Sequence, residues 1–304
     1  MLAASIKSSC SIGPLTNEVA LAAHEQSFAD SGRSKGKLNS QPTKVRRIPI
    51  ARPVSGMSDK SNAWNSDLHS RRTMPEGKSE IMKQGIQAIL FPEAGRLRSR
   101  QIISRSRARP TGKYPSLKLG RMVHWESVYE LHAFRLLDCD PCVQMFAEQP
   151  CEIRYVLHGS AHSHFPDVLV VHTDRKELWE IKPDSHANRP EIAERTALLS
   201  TCLPDWGYRY RLVLAAELTV QPRMNNLVTL LRFGRTEVPA IQRECVLEGL
   251  RRTRMVTWQQ VSDGALGTNG RAVLCRLTLE GLLAVEIQTQ IGPTTVFQLR
   301  TEAI

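Results

Sequence analysis

The sequence predicts an α/β protein: a mixed β-sheet flanked by helices, followed by a smaller domain of helices and a hairpin, and preceded by a long basic region. Three observations lead there. Residues 165–171 (FPDVLVV) are apolar enough to be buried on both faces, and residues 177–182 (ELWEIK) alternate, so that Glu180 and Lys182 share one face while Trp179 and Ile181 share the other. Joined by a short polar turn, the two segments read as a strand pair. Segments with helical spacing flank that pair, from Met122 to about Leu137 and over residues 190–202, and a further strand, residues 208–215, follows the second helix. The charge is segregated as well: residues 33–121 hold 21 Lys and Arg against 5 Asp and Glu, a net +16, whereas the rest of the chain sums to −5 of the formal +11.

A chain of 304 residues has room for two domains and a tail. The expected division is 1–107 as the basic region, 108–217 as the mixed-sheet domain and 218–304 as the smaller domain. No stretch reaches the roughly 18 apolar residues of a membrane span, and the opening MLAASIKSSCSIG lacks the apolar run of a signal peptide. The expected location is cytoplasmic, with the seven cysteines as reduced, mostly buried thiols.

Taken in order, residues 1–107 show little periodicity and much Ser, Gly, Pro, Lys and Arg, which predicts disorder until a partner binds. Residues 79–90 are the exception. Ile81, Met82, Ile86, Ile89 and Leu90 fall near helical spacing ahead of Pro92, and a helix is expected there. The basic run from Arg96 (RLRSRQIISRSRARPTGKYPS) is one that a DNA backbone would order. On the helix from Met122, Glu126 and Glu130 are four apart, a spacing that stacks both carboxylates on one side and lets either look toward the sheet. Residues 138–149 are expected to turn the chain, residues 151–157 to form a strand, and HGSAHSH to be a polar hairpin loop. Helices are then expected over 240–252, 257–263 and 272–283, with strands 285–290 and 294–299 around Gly292-Pro293. Three helices and a hairpin suggest a winged-helix-like domain. Its third helix (RAVLCRLTLEGLLAVE) is apolar where a base-reading helix needs polar side chains, which predicts docking onto a protein; the competing reading is that this face is the domain's own core, with Arg271 and Arg276 touching phosphates.

The chemistry concentrates in the central pair. Asp167, Glu180 and Lys182 on buried strands would cost several kcal/mol per ion if unpaired, so the arrangement points to carboxylates meeting a metal or a cation. Pro166-Asp167 followed by Glu180-Ile181-Lys182 is the PD-(D/E)xK pattern of metal-dependent nucleases, on a restriction-endonuclease-like order of helix, three strands, helix and strand. An acidic residue two before a lysine should arise by chance about twice in such a chain. Glu76-Gly77-Lys78 and Asp174-Arg175-Lys176 are two such accidents without the buried strand context. Cys139-Asp140-Pro141-Cys142 has no second ligand pair for zinc, and His158, His162 and His164 are explained by a polar loop. Neither a phosphate-binding Gly-rich loop nor a GxSxG elbow is present.

The runs TGKYPSLKLGRMVHWESVYE, LLDCDPCVQMFAEQP, HFPDVLVV and LWEIKP together resemble the TnsA family, the endonuclease subunits of heteromeric cut-and-paste transposases, over residues 108–217. The resemblance implies a catalytic set of Glu130, Asp167, Glu180 and Lys182, with Glu126 in reserve for the helix position. It implies Mg²⁺, with Mn²⁺ able to substitute, held by Glu130, Asp167 and Glu180, and Lys182 positioning the attacking water. The implied substrate is double-stranded DNA at transposon ends, cut on the 5′ strands. The implied partners are a DDE-type, TnsB-like transposase and an AAA+, TnsC-like ATPase. A stand-alone nuclease of the same fold, and a non-catalytic DNA-binding adaptor, remain the alternatives.

Overall fold

The computed structural model describes residues 83–93, 98–99 and 110–301, together with the backbone of a short strand at Arg72–Thr73. Expectations for the rest of residues 1–107, including the disordered basic region, lie outside the described residues. In chain order the elements are β1 (Arg72–Thr73), β2 (Gly85–Leu90), β3 (Gly112–Pro115), β4 (Met122–Trp125), α1 (Val128–Cys139), β5 (Val143–Glu148), β6 (Glu152–Leu157), β7 (Ser160–His164), β8 (Val168–His172) and β9 (Lys176–Lys182). After these come α2 (Asp184–Ala187), α3 (Pro190–Cys202), a 3₁₀ turn (Leu203–Trp206), β10 (Arg209–Leu214), α4 (Ala215–Thr219) and α5 (Arg223–Gly234). The last are α6 (Ala240–Thr253), β11 (Met255–Thr257), α7 (Trp258–Ser262), α8 (Gly270–Leu279), β12 (Leu283–Val285) and β13 (Val296–Leu299).

The central sheet has the order β10-β9-β8-β5. β8 runs antiparallel to both β5 and β9, while β10 lies parallel to β9, the placement that the intervening crossover helix α3 permits. Alternation along the strands sends side chains into two cores. Val168, Val170, Trp179 and Ile181 pack with Phe134 and Leu137 of α1, whereas Leu169 and Leu178 pack with Leu198 and Leu199 of α3. A second, antiparallel sheet, β1-β2-β6-β7, closes the α3 side through Ile86, Ile89, Ile153 and Tyr155. This mixed α/β arrangement of sheets flanked by helices is the one the sequence predicts.

Several expectations are corrected. The helix expected over residues 79–90 is, in its described part, the strand β2, which pairs with β6. A bulge between Ile86 and Ala88 adds a residue to one strand, so buried Ile86 and Ile89 end up three apart and imitate helical spacing. The helix expected from Met122 begins at Val128, because residues 122–125 pair with β3 and Ser127 caps the helix, its side chain accepting from the Glu130 N–H. The turn expected over 138–149 contains β5, an edge strand of the central sheet. Of HGSAHSH only His158 and Gly159 form the turn, at positive φ, and the remaining residues are the strand β7.

Beyond residue 218, α5 was not anticipated, and it packs against both α1 and α8. Its buried Asn226 holds the segment before β13, donating to Ile287 O and Thr289 O and accepting from Ile291 N. The apolar helix expected to dock onto a protein is α8. Its Val273, Leu274, Cys275 and Leu277 are wholly buried in the core it forms with α5 and α6, so its apolar character is accounted for internally. β11-β13-β12 close that core with Phe297.

Candidate active site

The register of the β8–β9 hairpin sets the site. Val168 pairs with Trp179, so Asp167, one residue earlier, stands opposite Glu180 at the open end of the hairpin. Its backbone is pinned on both sides: its N–H donates to Trp179 O at 2.9 Å, and its carbonyl accepts from Gln149 N at 2.8 Å. Its carboxylate is pinned too, with Oδ2 accepting from Ile181 N at 2.7 Å. The structure therefore brings Asp167, Glu180 and Lys182 together, with Lys182 Nζ 2.5 Å from Glu180 Oε1 and 3.9 Å from Asp167 Oδ2. Trp179 and Ile181 anchor β9 in the α1 core and so fix where the intervening Glu180 stands.

Glu180 is 3 % exposed, and the surroundings of so buried a charge decide its state. Besides Lys182, Arg195 of α3 reaches Glu180 Oε1 at 3.1 Å. On the other oxygen, His164 Nε2 lies 3.4 Å from Glu180 Oε2, and the same ring nitrogen is 3.1 Å from the Tyr210 hydroxyl. Burial, followed by the charges of Arg195 and Lys182, lowers the His164 pKa to about 3, which keeps the ring neutral at physiological pH.

Glu130 sits in the first turn of α1, on the sheet face opposite α3. Its Oε2 accepts from Glu126 N at 2.9 Å and its Oε1 from Ser127 Oγ at 3.1 Å, so the carboxylate is engaged at its own helix end. Glu126 precedes the N-cap; the two carboxylates do not stack along a helix as expected. The Glu126 side chain instead accepts from Gln149 Nε2 at 2.9 Å. Burial raises the Glu130 pKa; the hydrogen bonds from Glu126 N–H and Ser127, and to a smaller extent the charge of Lys182, oppose the rise. Asp167 is likewise held above the usual carboxylate range, first by burial and then by the charge of Glu180, with Glu130 adding to the effect. Three carboxylates thus share one electrostatic neighbourhood, although Glu130 stands apart from the contacts that join the other three groups.

Whether these residues suit a divalent metal turns on the donors. Asp167 and Glu180 offer oxygen only, the ligand type a hard cation takes, and Glu180 Oε2 is a buried carboxylate oxygen without a hydrogen-bond partner. On that ground the pair fits such an ion. Among the described residues no three His, Cys, Asp or Glu side chains form a ready-made metal cluster. Glu130, to join the pair, must turn away from its helix end.

Sequence reasoning missed Arg195, Tyr210 and Gln149, and it assigned His164 to a polar loop, whereas the residue is buried on β7. A signal for Arg195 existed: it lies three after Ile192 and three before Leu198, on the helix face that otherwise holds only buried apolar residues. Gln149 is at positive φ, 44°, an uncommon backbone for that residue, and its buried Oε1 has no partner. Nothing in the sequence pattern marked it apart from its place in the Glu148-Gln149-Pro150 run.

Among the described residues no helix is long and apolar enough to cross a membrane. Among curated proteins, none matches the chain. The family described as TnsA-like endonuclease N terminal matches residues 140–214, a span that begins just after α1 and contains β5 through β10. Asp167, Glu180, Lys182 and Arg195 all fall inside that span, and Glu130 falls ahead of it. With a match over the strands that build the site, this segment of the chain is similar to the TnsA-like endonuclease N-terminal domain.

Proposed function

We propose that this protein is the metal-dependent endonuclease subunit of a heteromeric cut-and-paste transposase, hydrolysing the 5′ strands at transposon ends. The observation that carries the reading is the contact of Asp167, Glu180 and Lys182 at the open end of the β8–β9 hairpin, inside the TnsA-like segment. Asp167 and Glu180, with Glu130 as third carboxylate, would hold a Mg²⁺ ion, or Mn²⁺ in its place, which would supply Lewis acidity and lower the pKa of a bound water. The chain's own residues do the rest. Ile181 N–H orients Asp167, Arg195 holds Glu180, and Lys182 presents an ammonium beside both carboxylates, where it orients the attacking water and balances charge developing on the phosphate. The basic residues of 33–121 supply salt-sensitive affinity for the DNA backbone.

The helices α6, α7 and α8 with the three-stranded sheet support a winged-helix-like reading of residues 218–304. Arg251 and Arg252 there are paired with Glu244 and Glu248 of their own helix, which argues against their serving as free phosphate contacts. The partners are a TnsB-like DDE transposase and a TnsC-like AAA+ ATPase. The test is to combine the chain with those partners on a plasmid bearing transposon ends and map the breaks to the nucleotide. Mg²⁺-dependent 5′-strand breaks at the ends, lost in Glu180→Ala, support the reading. Breaks confined to the 3′ strands, or cleavage indifferent to a chelator, contradict it.

A further inference from the structure

Glu180 is held by two cations where one would neutralise it, and the two are held differently. Arg195 projects from the second turn of α3, whose Ile192, Leu198 and Leu199 are buried, and the hydroxyls of Tyr155 and Tyr210 border its guanidinium. Lys182 is the last residue of β9; its amine ends a flexible four-carbon stem and is shared between Glu180 Oε1 at 2.5 Å and Asp167 Oδ2 at 3.9 Å. A planar guanidinium loses less freedom per contact than an ammonium and suits a fixed buried pair. Both cations converge on Oε1, and Oε2 is left without a hydrogen bond. A buried carboxylate with Lys182 as its only counter-ion would trap that amine, because its departure would strand an unpaired charge.

We propose that Arg195 is a positioning residue, the standing counter-ion of Glu180, whose presence leaves Lys182 free to leave Glu180 and attend the reacting water. The part concerning water rests on the nuclease reading; the counter-ion part does not. The experiment uses the full chain and the variants Arg195→Met, Lys182→Met, the double variant, and the double variant with Glu180→Gln, compared by thermal melting.

The expected pattern is redundancy. Each single substitution lowers the melting temperature modestly, the double lowers it by clearly more than the sum or prevents folding, and Glu180→Gln recovers the double. In cleavage assays Arg195→Met lowers kcat by about tenfold to a hundredfold with KM for DNA unchanged, the size expected from a misplaced catalytic group. Arg195→Lys restores most of that loss. An additive double variant, or no recovery by Glu180→Gln, overturns the counter-ion role. Wild-type kcat in Arg195→Met overturns the positioning role. A wild-type chain that cleaves no DNA in the reconstituted complex overturns the nuclease reading, while the melting series still decides the counter-ion claim.

Discussion

Asp138 is the residue whose loss should most damage the frame around the site. Its buried carboxylate accepts from Tyr114 OH and Leu117 N on Oδ2, and from Ser116 Oγ and Lys118 N on Oδ1, all at 2.8–2.9 Å. These bonds fasten the β3–β4 hairpin to the C-terminal end of α1. Asp138→Asn keeps the shape but swaps one acceptor oxygen for an NH₂ group. A hydroxyl can rotate to accept from it; a backbone N–H cannot, so either Leu117 N–H or Lys118 N–H is left facing a donor. One unsatisfied buried donor costs about 1–3 kcal/mol, and weakening the remaining charge-assisted bonds adds about 1 more. The expected loss is about 2–4 kcal/mol. For a folded unit of this size that lowers the melting temperature by about 5–15 °C. Urea unfolding followed by tryptophan fluorescence measures it directly. A change below about 0.5 kcal/mol would refute the claim that this carboxylate holds hairpin and helix together.

Three further outcomes follow from particular residues. The unfolded chain takes up a proton on His164 near its ordinary pKa of 6.5, whereas the folded chain does so only near 3, so stability is lost as pH falls through that window; His164→Gln should flatten the slope, and an unchanged slope counts against a buried neutral ring. In β2, Ile89→Ala should cost about 2–4 kcal/mol because the side chain is wholly buried, while the exposed Gln87→Ala should cost less than about 0.5, a contrast that urea unfolding checks. Deleting residues 1–109 should reduce the steepness with which DNA affinity falls as salt rises, and a truncated chain with the full-length salt dependence assigns the basic region to another partner.

The parts of the fold legible in the sequence were those in which one local signal dominated. The continuous apolar run before Glu177-Lys182 announced β8 and β9, and Ile192, Leu198 and Leu199 announced α3 with the same bounds the structure gives it. β2 was misread because its bulge converts a period of two into an apparent period of three, a distortion that only the partner strand β6 makes intelligible. The start of α1 was recoverable, since Ser127 and Glu130 form a Ser-x-x-Glu signature, but the apolar Met122 and Val123 of β4 extended the pattern backward. At the site, Asp167, Glu180 and Lys182 were readable because charge on an apolar strand is conspicuous. Arg195 was not singled out and His164 was read as part of a polar loop, because their roles come from the packing of α3 and β7 onto β9, a relation between distant segments.

The most direct test of the central claim is cleavage of transposon-end DNA by the reconstituted complex, comparing wild type with Asp167→Ala. The variant removes one of the two carboxylates at the hairpin end, and only the bond from Ile181 N–H and the distant Lys182 amine lose a partner with it. A folded Asp167→Ala protein, verified by melting, is predicted to show no 5′-strand nicking at any Mg²⁺ concentration. Nicking at the wild-type rate in that folded variant would contradict the assignment of the site.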